Sequence, residues 1–269
     1  MASVSISTGC LARLENHQFY ELSSIMNMME KLLEESEVDG FEFVLLPEWD
    51  AENQPITPTS APFECEKHSL KELVEILQPQ VFPFLSVHAN RDIGGYLCSE
   101  KTELVKKGVR LTKECLEFTK AVQSRICVFH FWDTWKEKLE LSNLQNQYRK
   151  LQEDNPKIEI SVENIPTKYK TPFQLIQGFK HRTLDLKWAS LFNEFDLFAK
   201  ELAYINNIHI QGKYQEGRLA PTVGNLNYEK ALKLLIETGY SGIFTIELEG
   251  TASYRDIVEY IKQVKKLVR

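Results

Sequence analysis

Hydrophobic and polar positions follow two different periods along the chain. Short runs rich in β-branched and aromatic residues are typical of strands, and they alternate with longer segments in which apolar residues recur every three or four positions, as in amphipathic helices. Eight such alternations occur without a stretch that resembles an interdomain linker. The predicted strands are 3-9, 38-46, 82-89, 125-131, 158-164, 182-186, 204-211 and 243-248.

Two of the helical segments carry end signals. In 66-79, Ser69 and Glu72 fit a capping box at the start of the helix. In 227-239, Gly239 stands where a helix end requires a residue that tolerates positive φ. Two stretches with neither period are predicted to be loops, namely 47-63, which contains four prolines, and 212-226, which contains three glycines.

Repeated strand-helix units imply a parallel sheet with helices outside. Eight units in 269 residues favour a single (β/α)8 TIM barrel that spans residues 1-269 as one domain, since this fold needs about 250 residues. An open α/β sheet is the alternative, but no glycine-rich dinucleotide fingerprint follows the first strand.

Composition narrows the function classes. A net charge of −6 argues against a dedicated nucleic-acid-binding protein, which needs a concentrated basic surface. The five cysteines are scattered and form no CxxC pair, as expected for reduced thiols. The first residues contain neither a basic segment nor a long apolar one, so we expect no signal peptide, no membrane contact and a cytoplasmic location. Assembly into a homo-oligomer is compatible with the sequence.

Six predicted strands end on residues that can bind a metal. In a parallel barrel these strand ends gather at one mouth, where active sites of this fold lie. Strand alternation places five of the six on the same face as a small polar residue, while apolar residues occupy the other face. The six candidates are His88, His130, Glu163, Asp185, His209 and Glu247.

The carboxylates of this set predict a cation. Glu163, Asp185 and Glu247 would repel one another by about 3 kcal/mol per pair at roughly 6 Å, and a metal would remove that cost. With His209 as fourth ligand, the set suits Mn2+, Mg2+ or Co2+. If His88 and His130 join this set, Zn2+ or Fe2+ also becomes suitable.

Four further residues are weaker candidates for substrate contacts. Glu42 is predicted to point inward, and a loop after the seventh strand carries a basic side chain. Tryptophans after strand ends could pack against a sugar ring, although core packing is an equal alternative. These weaker candidates are Glu42, Arg218, Trp132 and Trp188.

At these residues the chain resembles the xylose isomerase-like TIM barrel superfamily, which includes endonuclease IV, ketose 3-epimerases and inosose dehydratases. The resemblance spans essentially the whole chain and is strongest over 205-249, where a histidine, a glycine loop, a helix, a "GY-G" turn and a strand glutamate follow one another. Ser161-Val162-Glu163-Asn164 resembles the strand that supplies a metal-binding glutamate, and Leu184-Asp185 resembles the next strand. Trp188 departs from the family, because many members have a histidine there. No histidine follows His209, so the third zinc site of endonuclease IV is absent from the sequence. His88 and His130 match positions that complete another zinc site in that enzyme, so the resemblance implies that they could bind a second metal or the substrate.

The resemblance implies a metal-dependent sugar or sugar-phosphate isomerase or epimerase. Glu163 and Glu247 would act as an acid/base pair through an enediolate, with Asp185 and His209 mainly as ligands. The alternatives are an endonuclease IV-like phosphodiesterase at abasic DNA and a noncatalytic ligand-binding barrel.

Overall fold

A parallel β-barrel forms the centre of the molecule. The computed structural model describes residues 2–12, 14, 19–53, 64–215, 218–250 and 252–269, with backbone only at 19, 20, 64, 215 and 218. Eight strands in these ranges build the barrel: β1 (Ser3–Ser7), β2 (Gly40–Val44), β3 (Phe84–His88), β4 (Ile126–Phe129), β5 (Glu159–Glu163), β6 (His181–Asp185), β7 (Ile205–Gln215) and β8 (Ile243–Leu248). All eight strand predictions are confirmed.

The barrel closes between its first and last strands. β1 pairs with β2 on one side and with β8 on the other, and β7 joins both β6 and β8. All of these pairings are parallel. The fold is therefore a (β/α)8 TIM barrel, and the open sheet is excluded.

Helices follow the strands on the outside. They are α1 (Thr8–Leu11), α2 (Leu22–Glu35), α3 (Leu70–Leu77), α4 (Ile93–Leu97), α5 (Thr102–Ala121), α6 (Leu141–Asp154), α7 (Pro172–Ile176), α8 (Leu186–Leu191), α9 (Phe195–Phe198), α10 (Tyr228–Glu237) and α11 (Tyr254–Val268), with a 3-10 turn at Leu202–Tyr204. Ser69 and Glu72 form the predicted capping box of α3. Gly239 follows α10 with φ of 95°, as its position in the sequence predicted.

The segment 212-226 corrects one prediction. β7 continues to Gln215, and Arg218–Ala220 pairs back on it in an antiparallel ladder. The prediction of an irregular loop was therefore wrong for its first half. Leu219 is buried on this ribbon, and its burial stabilises the antiparallel pairing. The glycines of the segment had instead suggested a loop. Of the other predicted loop, residues 54–63 lie outside the described part of the chain.

Two layers of buried side chains follow from the alternation along each strand. The outward layer is apolar and packs under the helices, for example Val162, Leu184, Ile208 and Ile246. The inward layer is polar but equally buried, and it consists of Ser5, Glu42, Ser86, Ser161, Thr183, Asn207 and Thr245. Hydrogen bonds link these inward residues across strands, so the desolvation cost of burying them is largely offset.

Two further features are the length and hydropathy of the helices, which bear on membrane spanning, and the state of the cysteines, which bears on disulfide bonds. In the described ranges, no helix is long and apolar enough to cross a bilayer. The five cysteines are all free thiols.

Candidate metal centre

Five ionisable side chains meet where the barrel strands end. His88 and Glu163 are the last residues of β3 and β5, and His130 directly follows β4. His209 lies within β7, and Glu247 lies near the end of β8. Because parallel strands all direct their carboxyl ends to one rim, residues from five separate strands come together here.

Glu163 binds two histidines through a single oxygen. Its Oε2 lies 3.1 Å from Nε2 of His88 and 2.8 Å from Nε2 of His130. The His88 ring also places Nδ1 3.0 Å from the backbone carbonyl of Ala89. The Glu163 side chain is almost fully buried, so these contacts replace the water that its carboxylate gives up.

His209 presents an unpaired nitrogen to two carboxylates. Its Nδ1 is buried and has no hydrogen-bond partner among the described residues. This nitrogen lies 3.6 Å from Oε1 of Glu163 and 3.6 Å from Oε2 of Glu247. A nitrogen and two carboxylate oxygens thus face one another without direct hydrogen bonds.

This geometry fits a divalent cation. Metal–ligand bonds of about 2.0–2.2 Å place neighbouring ligand atoms roughly 3.0–3.6 Å apart. The described residues contain two groups of three possible ligands, and within each group the ligand atoms lie within 4.8 Å of one another. The groups are His88–His209–Glu247 and His88–His130–Glu163. Nitrogen and oxygen donors in this mixture suit a first-row divalent metal or Mg2+.

Asp185 lies beside this cluster, and its side chain also caps a helix. It pairs in register with His209, and it is buried. Its Oδ1 accepts a hydrogen bond of 2.7 Å from the backbone N–H of Lys187, which makes Asp185 the N-cap of α8. Asn164 fixes the backbone of Asp185 through bonds of 2.5 and 3.2 Å. Asp185 belongs to neither of the two close ligand groups.

Neighbouring charges and hydrogen bonds shift the pKa values of His88 and Glu163. Burial alone would lower the pKa of His88, but the hydrogen bond and charge of Glu163 outweigh it and raise that pKa to about 9. Burial opposes ionisation of Glu163, yet the charges of His130 and His209 hold its pKa well below the ordinary value. Without a metal, the cluster therefore binds protons in its place.

The other two carboxylates shift in the opposite direction. Burial, followed by the negative charges of Glu163 and Glu247, raises the pKa of Asp185 well above its ordinary value. Burial also raises the pKa of Glu247, although the charge of His209 partly opposes it. Burial is the largest cause of both shifts, so these two carboxyl groups are easier to protonate than exposed ones.

Glu42 lies beneath the rim with no exposed surface. Its Oε2 accepts hydrogen bonds from Ser86 Oγ at 2.7 Å and Asn207 Nδ2 at 3.0 Å, and it lies 3.2 Å from His209 Nε2. The inward orientation predicted from strand alternation is present. A direct contact with substrate, however, does not fit this depth.

The tryptophans divide into buried and exposed ones. Trp132 has no exposed surface, and its indole N–H donates a 3.0 Å bond to the carbonyl of Ile165, which favours core packing over substrate contact. Trp188 is partly buried and meets the half-exposed Trp135 edge to face at 6.1 Å. The side chain of Arg218 lies outside the described part of the chain.

Two contacts at the site were not predicted from the sequence, namely the hydrogen bonds of Asn207 and an ion pair between Lys187 and Glu249. Asn207 holds Glu42, and its Oδ1 accepts a 2.8 Å bond from Thr245. Lys187 and Glu249 form an ion pair that joins the ends of β6 and β8. Alternation along β7 placed Asn207 inward, but nothing in the sequence indicated its partner.

A family profile described as xylose isomerase-like TIM barrel matches residues 31–264. This range contains every candidate ligand. A search of curated proteins found no match.

Solved structures resemble the whole chain. A D-tagatose 3-epimerase-like protein is 20% identical with a TM-score of 0.64, and the match covers 99% of this chain and 98% of the other. The IolI protein with a bound zinc atom is 14% identical (TM-score 0.64, 99% and 98% covered). A xylose isomerase-like TIM barrel protein from Mycobacterium smegmatis in complex with magnesium is 15% identical (TM-score 0.62, 100% and 97% covered). At these identities the similarity establishes the shared fold.

Proposed function

The chain belongs to the xylose isomerase-like TIM barrel family, and on this premise we propose that it is a divalent-metal-dependent sugar or sugar-phosphate isomerase or epimerase. The metal ligands in this proposal are Glu163, Asp185, His209 and Glu247. His88 and His130 bind either a second metal or the substrate.

One observation carries the proposal. His209 Nδ1 is buried without a hydrogen-bond partner among the described residues, and it faces carboxylate oxygens of Glu163 and Glu247 at 3.6 Å each. A buried polar atom left unpaired costs about 1–3 kcal/mol. A cation between these three atoms would remove that cost and the repulsion between the carboxylates.

The chain's own residues would divide the work of proton transfer. A bound divalent metal supplies Lewis acidity, which polarises a sugar carbonyl and its neighbouring hydroxyl. Glu163 and Glu247, whose carboxylates each lie 3.6 Å from His209 Nδ1, would remove and return the proton on the carbon next to that carbonyl. His130 would hold Glu163 in place through its 2.8 Å contact.

The similar structures support this reaction class. One is described as D-tagatose 3-epimerase-like, and two others contain zinc and magnesium respectively. The finer features of the proposal, which are the acid/base pair and the identity of the metal, rest on the geometry of the cluster.

A second candidate is an endonuclease IV-like phosphodiesterase at abasic DNA, in which bound divalent metal would activate water for attack on the phosphodiester. The His88–His130–Glu163 group favours it, because a second metal could bind there. Against it, Arg91 and Lys187 at the mouth are each paired with a carboxylate, Glu48 and Glu249 respectively. Basic side chains whose charge is already paired with a carboxylate are poorly placed to bind a phosphate backbone.

Solvent exchange tests the proposal directly. The purified protein is stripped with a chelator, reloaded with Mn2+, Mg2+, Co2+ or Zn2+, and incubated in D2O with D-tagatose and a panel of other ketoses and ketose phosphates. We expect deuterium at the carbon next to the carbonyl, detected by NMR, and loss of that signal after chelation. Absence of exchange with every metal and sugar, together with cleavage of an abasic-site oligonucleotide, would establish the second candidate instead.

A matched pair of variants assigns the roles. Glu247→Gln removes one proposed proton carrier, whereas Glu159→Gln changes a carboxylate at the opposite end of β5, where it contacts Arg125 and Asn206. We expect exchange to fall by at least about 100-fold in the first variant, as typical for loss of general acid–base catalysis. The second variant should stay within about twofold of wild type.

A further inference from the structure

We propose that Glu42 is a positioning residue that sets the tautomer and orientation of His209, so that Nδ1 is unprotonated and its lone pair points toward the metal centre. This inference rests on the metal site of the proposed function. It concerns a side chain that touches neither substrate nor metal, because Glu42 has no exposed surface and lies below the rim.

The geometry around Glu42 points to one acceptor atom with three donors. Ser86 Oγ, Asn207 Nδ2 and His209 Nε2 all converge on Oε2, at 2.7, 3.0 and 3.2 Å. The fourth partner of this network, Thr245, donates to Asn207 Oδ1 at 2.8 Å, which turns the amide nitrogen of Asn207 toward Glu42. Two donors other than His209, namely Ser86 and Asn207, therefore hold Oε2 of Glu42 in place.

This arrangement selects between the two neutral tautomers of His209. With the proton on Nε2, the ring donates to a buried carboxylate and leaves Nδ1 free to bind a cation. With the proton on Nδ1, a lone pair on Nε2 would face the lone pairs of Glu42 at 3.2 Å. In that tautomer the Nδ1 proton would also occupy the space between Glu163 and Glu247.

Asn207 provides the competing arrangement. Its Nδ2 lies 3.1 Å from His209 Nε2 and could donate to that nitrogen in the other tautomer. The same Nδ2 is slightly closer to Glu42, at 3.0 Å, and a charged acceptor forms the stronger hydrogen bond. The carboxylate therefore attracts both the Asn207 amide and the His209 ring.

The test uses the zinc-loaded protein, since zinc is diamagnetic and permits NMR of the histidine rings. Long-range 1H–15N spectra of the wild type should show His209 with a proton on Nε2 and the metal on Nδ1. Observation of the proton on Nδ1 would overturn the proposal without any variant. Glu42→Gln should weaken zinc affinity roughly 10- to 100-fold, as is typical when the outer partner of a metal-bound histidine is lost.

A control variant separates positioning from general damage to the interior. Thr112→Ala removes an equally buried hydroxyl from α5, where it donates a 2.8 Å bond to the backbone carbonyl of Gly108 on the same helix. We expect its zinc Kd and the His209 spectrum to match those of wild type. Circular dichroism checks that each variant is folded, and the wild-type spectrum still decides the question if Glu42→Gln does not fold.

The outcomes distinguish this inference from the proposed function. Equal zinc affinity in wild type and folded Glu42→Gln overturns the positioning role while leaving the metal site intact. Zinc binding that depends on Glu42, without any sugar exchange, supports the positioning role and contradicts the proposed function. Failure of the wild type to bind metal through His209 overturns both.

Discussion

Oε2 of Glu163 lies 2.8 Å from Nε2 of His130, so the last residue of β5 is tied to the end of the neighbouring strand β4. The same oxygen also contacts His88, while the other carboxylate oxygen faces His209. Glu163 thus connects the two close groups of ligand atoms, and the first prediction follows from that position.

Glu163→Gln should weaken metal binding more than His130→Gln does. The glutamine loses negative charge toward both groups, whereas the histidine variant leaves the His209 side intact. We expect an affinity loss of at least about 100-fold for Glu163→Gln and about 10-fold for His130→Gln, measured by competition with a chelating dye. Equal losses in the two variants would contradict a bridging role for Glu163.

Asp185→Asn separates ligation from helix capping. Asparagine caps a helix as well as aspartate does, so the stability of α8 should hardly change. As a proposed ligand, Asp185 should nevertheless contribute charge to the metal, and we expect affinity to fall about 10-fold. Unchanged affinity with unchanged stability would leave Asp185 with a capping role alone.

The metal-free protein should lose stability as the pH rises from 6.5 to about 9. The pKa of His88 is raised from 6.5 to about 9 in the folded protein, so its stabilising contribution is complete below the lower value and disappears above the upper one. We expect a decrease of up to about 3 kcal/mol from this group, measured by urea unfolding with a chelator present. Saturating metal should reverse the trend, because ligands must be deprotonated to bind.

His88→Gln should flatten that pH dependence. His181→Gln is the control, because burial lowers the pKa of His181 and places its titration below this range. An unchanged slope in His88→Gln would show that another group is responsible.

Trp132→Ala should destabilise the protein by about 3–5 kcal/mol, as expected for truncation of a fully buried indole. Trp135→Ala, at a residue that is 51% exposed, should cost much less. Urea unfolding of both variants provides the comparison. A raised KM in Trp132→Ala with normal stability would instead place this ring in the substrate pocket.

Two glycines with positive φ should respond differently to alanine. A Cβ at Gly224 would lie 2.2 Å from Ser190 Oγ and 2.6 Å from the Ser190 backbone, whereas one at Gly239 would meet nothing within 4 Å. Gly239→Ala should therefore cost only backbone strain of about 1–2 kcal/mol, and Gly224→Ala clearly more. Equal unfolding free energies for the two variants would contradict this account.

The barrel strands could be predicted because each one shows a two-residue alternation and because the number of strand-helix units is eight, as a closed barrel requires. Each strand separates an apolar outer face from a polar inner one, and that alternation is visible in the sequence without knowledge of neighbours. The ribbon formed by β7 and Arg218–Ala220 was missed because Gly212 and Gly224 suggested a loop, while cross-strand pairing depends on contacts that the sequence does not display.

The candidate site was predicted in outline for the same reason. Alternation places a side chain inside or outside the barrel, but it does not give its depth along the axis. That depth depends on how the tilted strands are staggered. Glu42 comes in the middle of β2 and still reaches His209 in β7, which no spacing along the chain indicates.

The closure of the barrel by β8 also sets the order in which the protein can mature during synthesis. On the ribosome, β1 emerges first but lacks one of its two neighbours until residues 243–248 have been released. Glu247 arrives with that same strand. A nascent chain therefore cannot assemble the His209–Glu247 pair before β8 inserts, and metal uptake by this pair should report that the barrel has closed.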